Sequence, residues 1–299
     1  MLFIFQVFHW LIILIGITVR STVKVRTMIK RCLRLSEEFL VKPGKLKLKD
    51  WDANYHANKK KQDVESELAT FSSQMSELQY KLFADNRQAL VIILQGVDAS
   101  GKDSTIRHVM GALNPQSCYA KAFKVPTGEE LSHDYLWRVH IAIPAKGQIA
   151  IFNRSHYEDV IEAQVHNLIS KKELNSRFRQ INDFEKYLSE NHVRILKFFL
   201  HISKDEQKKR LLERLKDPTK HWKISDSDLQ DRKYWDNYME SYGKVLGICS
   251  TKYAPWYIIP ANSKWFRNWM VAQIVIKTLN SMKLKYPQPK VDITRFSIE

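Results

Sequence analysis

Apolar residues along this chain follow two patterns, one with a helical period and one of short unbroken runs. The helical pattern is clearest over six positions: Val64, Leu68, Phe71, Met75, Leu78 and Leu82. That spacing predicts one long amphipathic helix, whose apolar face either packs on the core or contacts a second subunit.

The unbroken apolar runs predict the strands of a sheet. Five such runs occur, at residues 89–95, 120–125, 148–152, 194–201 and 256–259. The first is aliphatic almost throughout, as expected of a parallel strand buried on both faces. Segments with helical periodicity separate the runs, and this alternation predicts an α/β fold, a doubly wound parallel sheet with helices on both faces.

The first predicted strand leads directly into a glycine loop that ends at Lys102. The loop matches the first seven positions of a Walker A phosphate-binding loop and precedes a stretch of helical periodicity. In such loops the backbone N–H groups and the positive end of the next helix face a phosphate, which a lysine also reaches. We predict Lys102 as a catalytic residue. The predicted phosphate contacts of the loop are Gly96, Ala99, Ser100 and Gly101.

Two acidic residues make this loop unusual. Asp103 stands where a standard P-loop has the Ser or Thr that binds magnesium, and Ser104 follows it. Asp98 lies inside the loop, where a carboxylate needs a cation to balance it. We therefore predict Asp98 as a catalytic metal ligand for Mg²⁺, with Mn²⁺ as an alternative ion, and Asp103 and Ser104 as phosphate or nucleotide contacts.

A second polar motif, at residues 153–159, follows the strand predicted at 148–152. Open α/β sheets bind ligands at this end of their strands. Arg154 offers a planar fork for phosphate. Glu158 and Asp159 are candidates to bind a second cation or orient the acceptor, and the alternative is that they complement a helix dipole. His156 is expected to pack or cap rather than to catalyse.

A cationic helix follows the fourth predicted strand. Arg210 and Arg214 lie one turn apart on one face of it, and Pro218 ends it. Lys220 and Lys223 extend the cationic surface, as a lid that neutralises phosphates and excludes water would require. The alternative interpretation is a solvated charged helix.

Net charge and cysteine usage narrow the class of partner and compartment. The chain has 48 Lys and Arg against 32 Asp and Glu, a formal net charge of +16. This excess indicates a polyanionic partner or an anionic surface without choosing between them. Three widely spaced cysteines, with no CxxC pair, indicate neither a disulfide framework nor a zinc site and fit a reducing compartment.

The chain begins with a nearly uncharged apolar run at residues 2–19, which is marginally long enough to span a bilayer. Basic residues follow it, and by the positive-inside rule they would keep the next domain in the cytoplasm. The alternative is that translation starts at Met28 and the run is a start-site artefact. We expect a cytoplasmic catalytic domain in both cases, with membrane contact only through residues 2–19.

Four segments resemble the polyphosphate kinase 2 family in order and spacing. They are GVDASGKDST at 96–105, PTGEEL at 126–131, FNRSHYED at 152–159 and DPTKHWK at 217–223. The segments 254–261 and 264–269 resemble the last strand and helix of that family, so the likeness covers about 41–284. Asn153, where other branches carry an aspartate, and the PTGEEL segment resemble the branch usually called class III. That branch is associated with phosphorylating both nucleoside monophosphates and diphosphates from polyphosphate.

The resemblance implies a P-loop kinase fold with a lid, magnesium dependence, and reversible transfer between inorganic polyphosphate and AMP or ADP, or the guanine equivalents. It also implies that eight residues surround the two phosphate chains: Asp98, Lys102, Asn153, Arg154, Glu158, Asp159, Arg210 and Arg214. Thr127 and Tyr157, within the matching segments, are further predicted phosphate or nucleotide contacts.

These observations predict an apolar segment at 1–27, a basic arm at 28–62, a phosphotransferase domain at 63–285 with its lid at about 203–245, and a tail at 286–299. A homo-oligomer is expected. Two other functions stay open, an ATP-dependent nucleoside monophosphate kinase and a basic nucleic-acid-binding P-loop protein. The charge favours a long polyanion over the first. The helical spacing of the aromatic residues at 222–242 favours core packing over base stacking, so no nucleic-acid partner is expected.

Overall fold

The computed structural model describes residues 35–224 and 226–296 of the chain. The apolar run at 2–19 and the alternative start at Met28 lie outside the described residues. The chain divides into two units, 1–39 and 40–299. In the first unit, residues 35–38 form a helical turn. Among the helices of the described ranges, none is both long and apolar enough to cross a bilayer.

The second unit is built on a five-stranded parallel sheet. The spatial order is β2-β3-β1-β4-β5, so β1 is central and its seven residues are all buried. The five predicted strands are therefore confirmed, although the second runs from Cys118 to Ala122 rather than over 120–125. The strands are β1 Ala89–Gln95, β2 Cys118–Ala122, β3 Ile149–Asn153, β4 Val193–His201 and β5 Trp256–Pro260.

Helices alternate with these strands along the chain. They are α1 Lys61–Asp85, α2 Lys102–Val109, α3 Gly128–Ser132, α4 Trp137–Ile141, α5 Glu158–Val165, α6 Lys171–Glu190, α7 Lys204–Lys216, α8 Asp226–Lys233, α9 Trp235–Cys249 and α10 Lys264–Ser281. Short 3₁₀ helices lie at Leu48–Asp50, Met110–Ala112, Pro115–Ser117, Pro218–Lys223 and Ile293–Arg295. The alternation confirms the doubly wound α/β class.

The long amphipathic helix predicted from its periodicity is α1. It buries Val64, Phe71, Met75 and Leu82 and packs along α10, much of which is buried. Packing within the subunit therefore accounts for the apolar stripe, and the homo-oligomer stays a prediction.

The backbone of the basic arm is hydrogen-bonded to β5 and to α9. The N–H of Val41 donates to the carbonyl of Trp256 at 2.9 Å, and the N–H of Gly44 donates to the carbonyl of Gly247 at 3.0 Å. Apart from the 3₁₀ turn at Leu48–Asp50, residues 41–60 form no regular helix or strand.

Candidate active site

The glycine loop connects the end of β1 to the start of α2, the strand–loop–helix order predicted from the sequence. Gly96 and Gly101 have φ angles of 148° and 103°, which favour glycine. A Cβ on Gly96 would lie 2.8 Å from both the Leu200 carbonyl and Ser100 Oγ. The loop therefore needs these glycines to curve tightly over the sheet, and the N-terminus of α2 faces the concavity that results.

Lys102 lies inside this loop. Its Nζ donates to the carbonyl oxygens of Gly96 at 2.6 Å and Val97 at 3.3 Å, and the residue is only 9% exposed. Burial lowers the pKa of Lys102, and the positive charge of Arg154 lowers it further, while Asp98 has the opposite effect. The ammonium is thus held where the loop's N–H groups would surround a phosphate.

Arg154 joins the second motif to the loop. Its Nη2 donates to Asp98 Oδ1 at 2.9 Å, and its Nη1 lies 3.7 Å from Glu158 Oε2. Its backbone N–H donates to the carbonyl of Leu94 at 3.1 Å, and its φ of 63° places it in the left-handed region. Because β1 and β3 are neighbours, their carboxyl ends bring the two predicted motifs together, and the tight backbone aims Arg154 across the loop.

The pKa values of the carboxyl groups in this cleft are shifted in different directions. Burial raises the pKa of Asp98, but Lys102 and Arg154 outweigh it, and with a further contribution from Arg214 the pKa falls below its usual value. Burial raises the pKa of Glu158. Burial and the nearby Glu158 raise the pKa of Glu162 to about 7. The cleft therefore presents an ionised carboxylate beside the loop and two less acidic carboxyls farther along α5.

The side chains near the loop show whether a metal ion could bind there. Among residues 35–224 and 226–296, no group of three or more His, Cys, Asp or Glu side chains is arranged to hold an ion. Magnesium in phosphoryl-transfer sites uses one or two carboxylates and takes its other ligands from water and substrate phosphates. Asp98 is ionised, partly exposed and next to the loop. The residues therefore fit an ion shared with a phosphate substrate.

Asn153, Asp103 and Lys223 meet at the edge of the loop. Asn153 Nδ2 donates to Asp103 Oδ1 at 2.6 Å, and Lys223 Nζ lies 3.6 Å from Asp103 Oδ2. The 3₁₀ helix containing Lys223 is also joined to α7, since Arg214 Nη1 donates to the Lys223 carbonyl at 3.3 Å. Predicted contact residues from three elements thus converge on the start of α2.

Other predicted contact residues have local partners. Asp159 Oδ2 accepts from Arg138 Nη2 at 3.3 Å. The hydroxyl of Thr127 accepts from the Glu130 N–H at 3.2 Å, as the N-cap of α3. Lys220 Nζ lies 2.6 Å from Asp217 Oδ2. These contacts hold neighbouring elements, and none of them places the side chain on the phosphate loop.

Tyr157 requires a correction, because it is fully buried. Its hydroxyl donates to Glu185 Oε1 at 2.8 Å and accepts from Lys197 Nζ at 2.8 Å. His156 is buried with it, 3.3 Å from Glu185, and so packs as expected. Tyr157 anchors the turn that carries Arg154 and cannot contact a phosphate or nucleotide as predicted.

Arg210 requires a second correction. All five of its N–H groups have partners: Nε donates to Glu206 at 2.7 Å, and the two terminal nitrogens donate to four backbone carbonyls. Those carbonyls belong to Ala99, Ser100, Ala261 and Asn262. Arg210 therefore holds the phosphate loop against the end of β5, and no donor is left to clamp a substrate, the role predicted for it.

Part of the segment predicted as the lid, residues 203–245, is buried in the core. Within α9, which begins at Trp235, the side chains of Trp235, Tyr238 and Tyr242 are buried, as the helical spacing of the aromatic residues predicted. Trp222 and Tyr234, for which the same spacing predicted core packing, are 77% and 43% exposed. The first part of α9 thus belongs to the core, which leaves α7, the 3₁₀ helix Pro218–Lys223 and α8 as the remainder of the predicted lid.

Sequence reasoning missed Arg267, a buried residue of α10. Its Nη1 donates to the Ser100 carbonyl at 3.3 Å and its Nη2 to Ser104 Oγ at 3.1 Å. Nη1 also occupies the position that a Cβ on Gly101 would take. The sequence held one signal of this role, since Arg267 is the single charged residue in the stretch 265–276.

A cavity larger than this cleft lies between the arm and α9. It measures about 1310 Å³. Trp235 lines both it and the cleft that contains Asp98, Arg154 and Glu158. The chemistry of the loop, rather than cavity size, identifies the candidate active site.

Comparisons with known proteins show the family of this chain. The sequence model of the polyphosphate kinase 2 family matches residues 58–287. The chain is 47% identical over 239 residues to a protein of Meiothermus ruber named AMP/ADP-polyphosphate phosphotransferase, covering 80% of this chain and 90% of that one. It is 43% identical over 233 residues to the ADP-polyphosphate phosphotransferase of Rhodopseudomonas palustris, covering 74% and 81% of the two chains. The crystal structure of polyphosphate kinase 2 from Arthrobacter aurescens superposes with a TM-score of 0.84 at 42% identity, over 86% of this chain and 93% of that one.

Proposed function

This chain belongs to the polyphosphate kinase 2 family, and we propose that it transfers phosphoryl groups reversibly between inorganic polyphosphate and nucleotides. The observation that carries the proposal is the arrangement of Lys102, Asp98 and Arg154 around the phosphate loop. Polyphosphate is proposed as the phosphoryl donor because the relatives from Meiothermus ruber and Rhodopseudomonas palustris are named polyphosphate phosphotransferases. The name of the Meiothermus ruber relative favours AMP and ADP as acceptors.

In the forward direction, an oxygen of the nucleotide's terminal phosphate attacks the end phosphorus of polyphosphate. One P–O bond forms as the P–O bond to the remaining chain breaks, and the shortened polyphosphate leaves with the electron pair. Little covalent help is needed from the protein, so catalysis depends on positioning and charge. Lys102 and the loop N–H groups offset the charge on the transferring group.

The other residues hold the two chains or the loop. Arg154 clamps phosphate oxygens from the β3 side, and Arg214 and Lys223 approach from the lid side. Arg210 supports the loop instead of contacting substrate. Asp98 would hold Mg²⁺, or Mn²⁺ as the alternative, and the ion would neutralise phosphate charge when bound.

A donor and acceptor panel tests the proposal. The purified protein would be incubated with AMP or ADP and either length-defined polyphosphate or ATP, with Mg²⁺ or with EDTA, and the nucleotides separated by chromatography. We expect ADP and ATP to form from polyphosphate in the presence of Mg²⁺.

The same panel separates the rival functions. Product from ATP alone would identify a nucleoside monophosphate kinase and overturn polyphosphate as donor. Retention on single-stranded DNA without any phosphotransfer would support the nucleic-acid-binding alternative. Lys102→Met serves as the control for contaminating kinases.

A further inference from the structure

Two buried guanidinium groups lie under the phosphate loop, and they differ in how their charge is balanced. Arg210 pairs with Glu206 at 2.7 Å. Among residues 35–224 and 226–296, by contrast, no carboxylate forms an ion pair with Arg267, which is fully buried. Its polar partners are neutral: the Ser100 carbonyl, Ser104 Oγ and Asn268 Oδ1.

Arg267 stays positively charged at neutral pH although it is buried among neutral partners. Burial and the nearby Arg210 lower the pKa of Arg267, to about 9, which still leaves the group cationic at pH 7. A buried cation without a counter-ion destabilises a folded protein. Stability of the fold alone therefore gives no reason for an arginine here, where a neutral side chain of similar length would fill the space.

The position of Arg267 indicates what balances its charge. It contacts the loop at Ser100 and the first turn of α2 at Ser104, and it lies against Gly101, the residue from which α2 starts. These are the elements whose N–H groups face a bound phosphate. An anion in the loop would thus lie on the opposite side of one layer of backbone from the guanidinium.

We propose that Arg267 is a positioning residue whose buried positive charge is balanced by the phosphate bound in the loop, so that it strengthens phosphate binding while destabilising the unliganded protein. It acts through the loop and does not contact the transferring group. The inference rests on the proposed function only in requiring that the loop bind phosphate.

Three substitutions of Arg267 distinguish the effect of its positive charge from the effect of its planar shape. Arg267→Lys keeps the charge and loses the planar fork, whereas Arg267→Gln and Arg267→Met lose the charge. The dissociation constant of tripolyphosphate would be measured by calorimetry, with the thermal midpoint recorded with and without tripolyphosphate. Lys264→Met is the matched control, because it removes an exposed positive charge from the same helix, one that lies 3.9 Å from Glu213.

We expect affinity to follow charge. Arg267→Gln and Arg267→Met should bind tripolyphosphate about 10-fold more weakly, and Arg267→Lys and Lys264→Met should stay close to wild type. The midpoint of unliganded Arg267→Met should equal or exceed that of wild type, and KM for polyphosphate should rise more than kcat falls.

Two results would overturn the proposal. One is wild-type affinity in a folded Arg267→Gln or Arg267→Met protein. The other is a lower unliganded midpoint in both neutral variants, or their failure to fold, because either result would make Arg267 a structural brace. Failure of the proposed function looks different: wild type would bind tripolyphosphate and depend on Arg267, yet form no nucleotide product from polyphosphate.

Discussion

The phosphate loop lies between two cationic regions, a buried floor and an exposed cover. The floor consists of Lys102, Arg210 and Arg267, and their side chains donate to the loop's own backbone oxygens. The cover consists of Arg214, Lys220 and Lys223, and its lysines lie within 4 Å of the partly exposed carboxylates Asp217 and Asp103. Residues of the same charge thus contact the loop backbone in the floor and surface carboxylates in the cover.

Arg210 and Arg214 show the difference within one helix. They are separated by a single turn of α7, yet Arg210 is buried with every donor engaged, whereas Arg214 is half-buried and contributes to the low pKa of Asp98. Within the floor, Lys102 should therefore govern kcat and Arg210 stability, whereas the cover should govern KM.

The largest effect is expected from the floor residue inside the loop. Lys102→Met should lower kcat by about 10³-fold, because it removes the cation that offsets charge on the transferring phosphoryl group. Steady-state transfer from polyphosphate to ADP measures this, and circular dichroism checks the fold. Near-normal turnover in a folded variant would contradict the assignment of Lys102.

Arg210→Met should act first on stability. The substitution would remove the partner of two carbonyls in the phosphate loop, of two carbonyls that follow β5, and of the Glu206 carboxylate. We expect this loss to lower the free energy of unfolding by about 3 kcal/mol. Urea denaturation measures the change. Lys209→Met is the control, since it removes an exposed charge from the same helix and should change stability by less than about 0.5 kcal/mol. Equal effects from both variants would contradict the supporting role of Arg210 beneath the loop.

Lys223→Ala should affect substrate binding in the cover. We expect KM for polyphosphate or nucleotide to rise about 5-fold with a smaller change in kcat, and an unchanged urea midpoint because partly exposed ion pairs add little stability. Lys220→Ala is the comparison, since Lys220 pairs with Asp217 rather than with Asp103 beside the loop. A larger rise in KM for Lys220→Ala would reverse the roles of the two lysines.

The smallest effect concerns Glu162, in the cleft beside Arg154. Its folded-state pKa of about 7 is higher than the 4.5 of an unperturbed glutamate, so the stability associated with its protonated form is present below about pH 4.5 and is lost as the pH rises through 7. Glu162→Gln should remove this loss, and its advantage in thermal midpoint over wild type should grow between pH 5 and pH 8. Glu190→Gln, at an exposed site, is the control. A constant difference between Glu162→Gln and wild type would contradict the raised pKa.

Several parts of the molecule could be predicted because their signals are local. The strand at 89–95, the glycine loop and the start of a helix at Lys102 follow from neighbouring residues, and so do the stop before Pro218 and the stripe along α1. The juxtaposition of Arg154 with Asp98 also followed, since the ends of adjacent parallel strands meet at one edge. Motif membership failed for Tyr157, because a motif does not say which side chains point into the core.

The sequence by itself determined the α/β class, the phosphate loop and the family resemblance, since each depends on the order of nearby residues. Only the tertiary structure decided which cations support the loop and which cover it. Arg210 meets Ser100 across 110 positions of the chain, and Arg267 meets it across 167. Contacts over such separations depend on how the sheet brings β1, α7 and α10 together. From helical spacing alone, Arg210 and Arg214 were predicted to lie on the same face and to play the same role. Burial then separated them, because a guanidinium enclosed by backbone carbonyls has no donor left for a substrate.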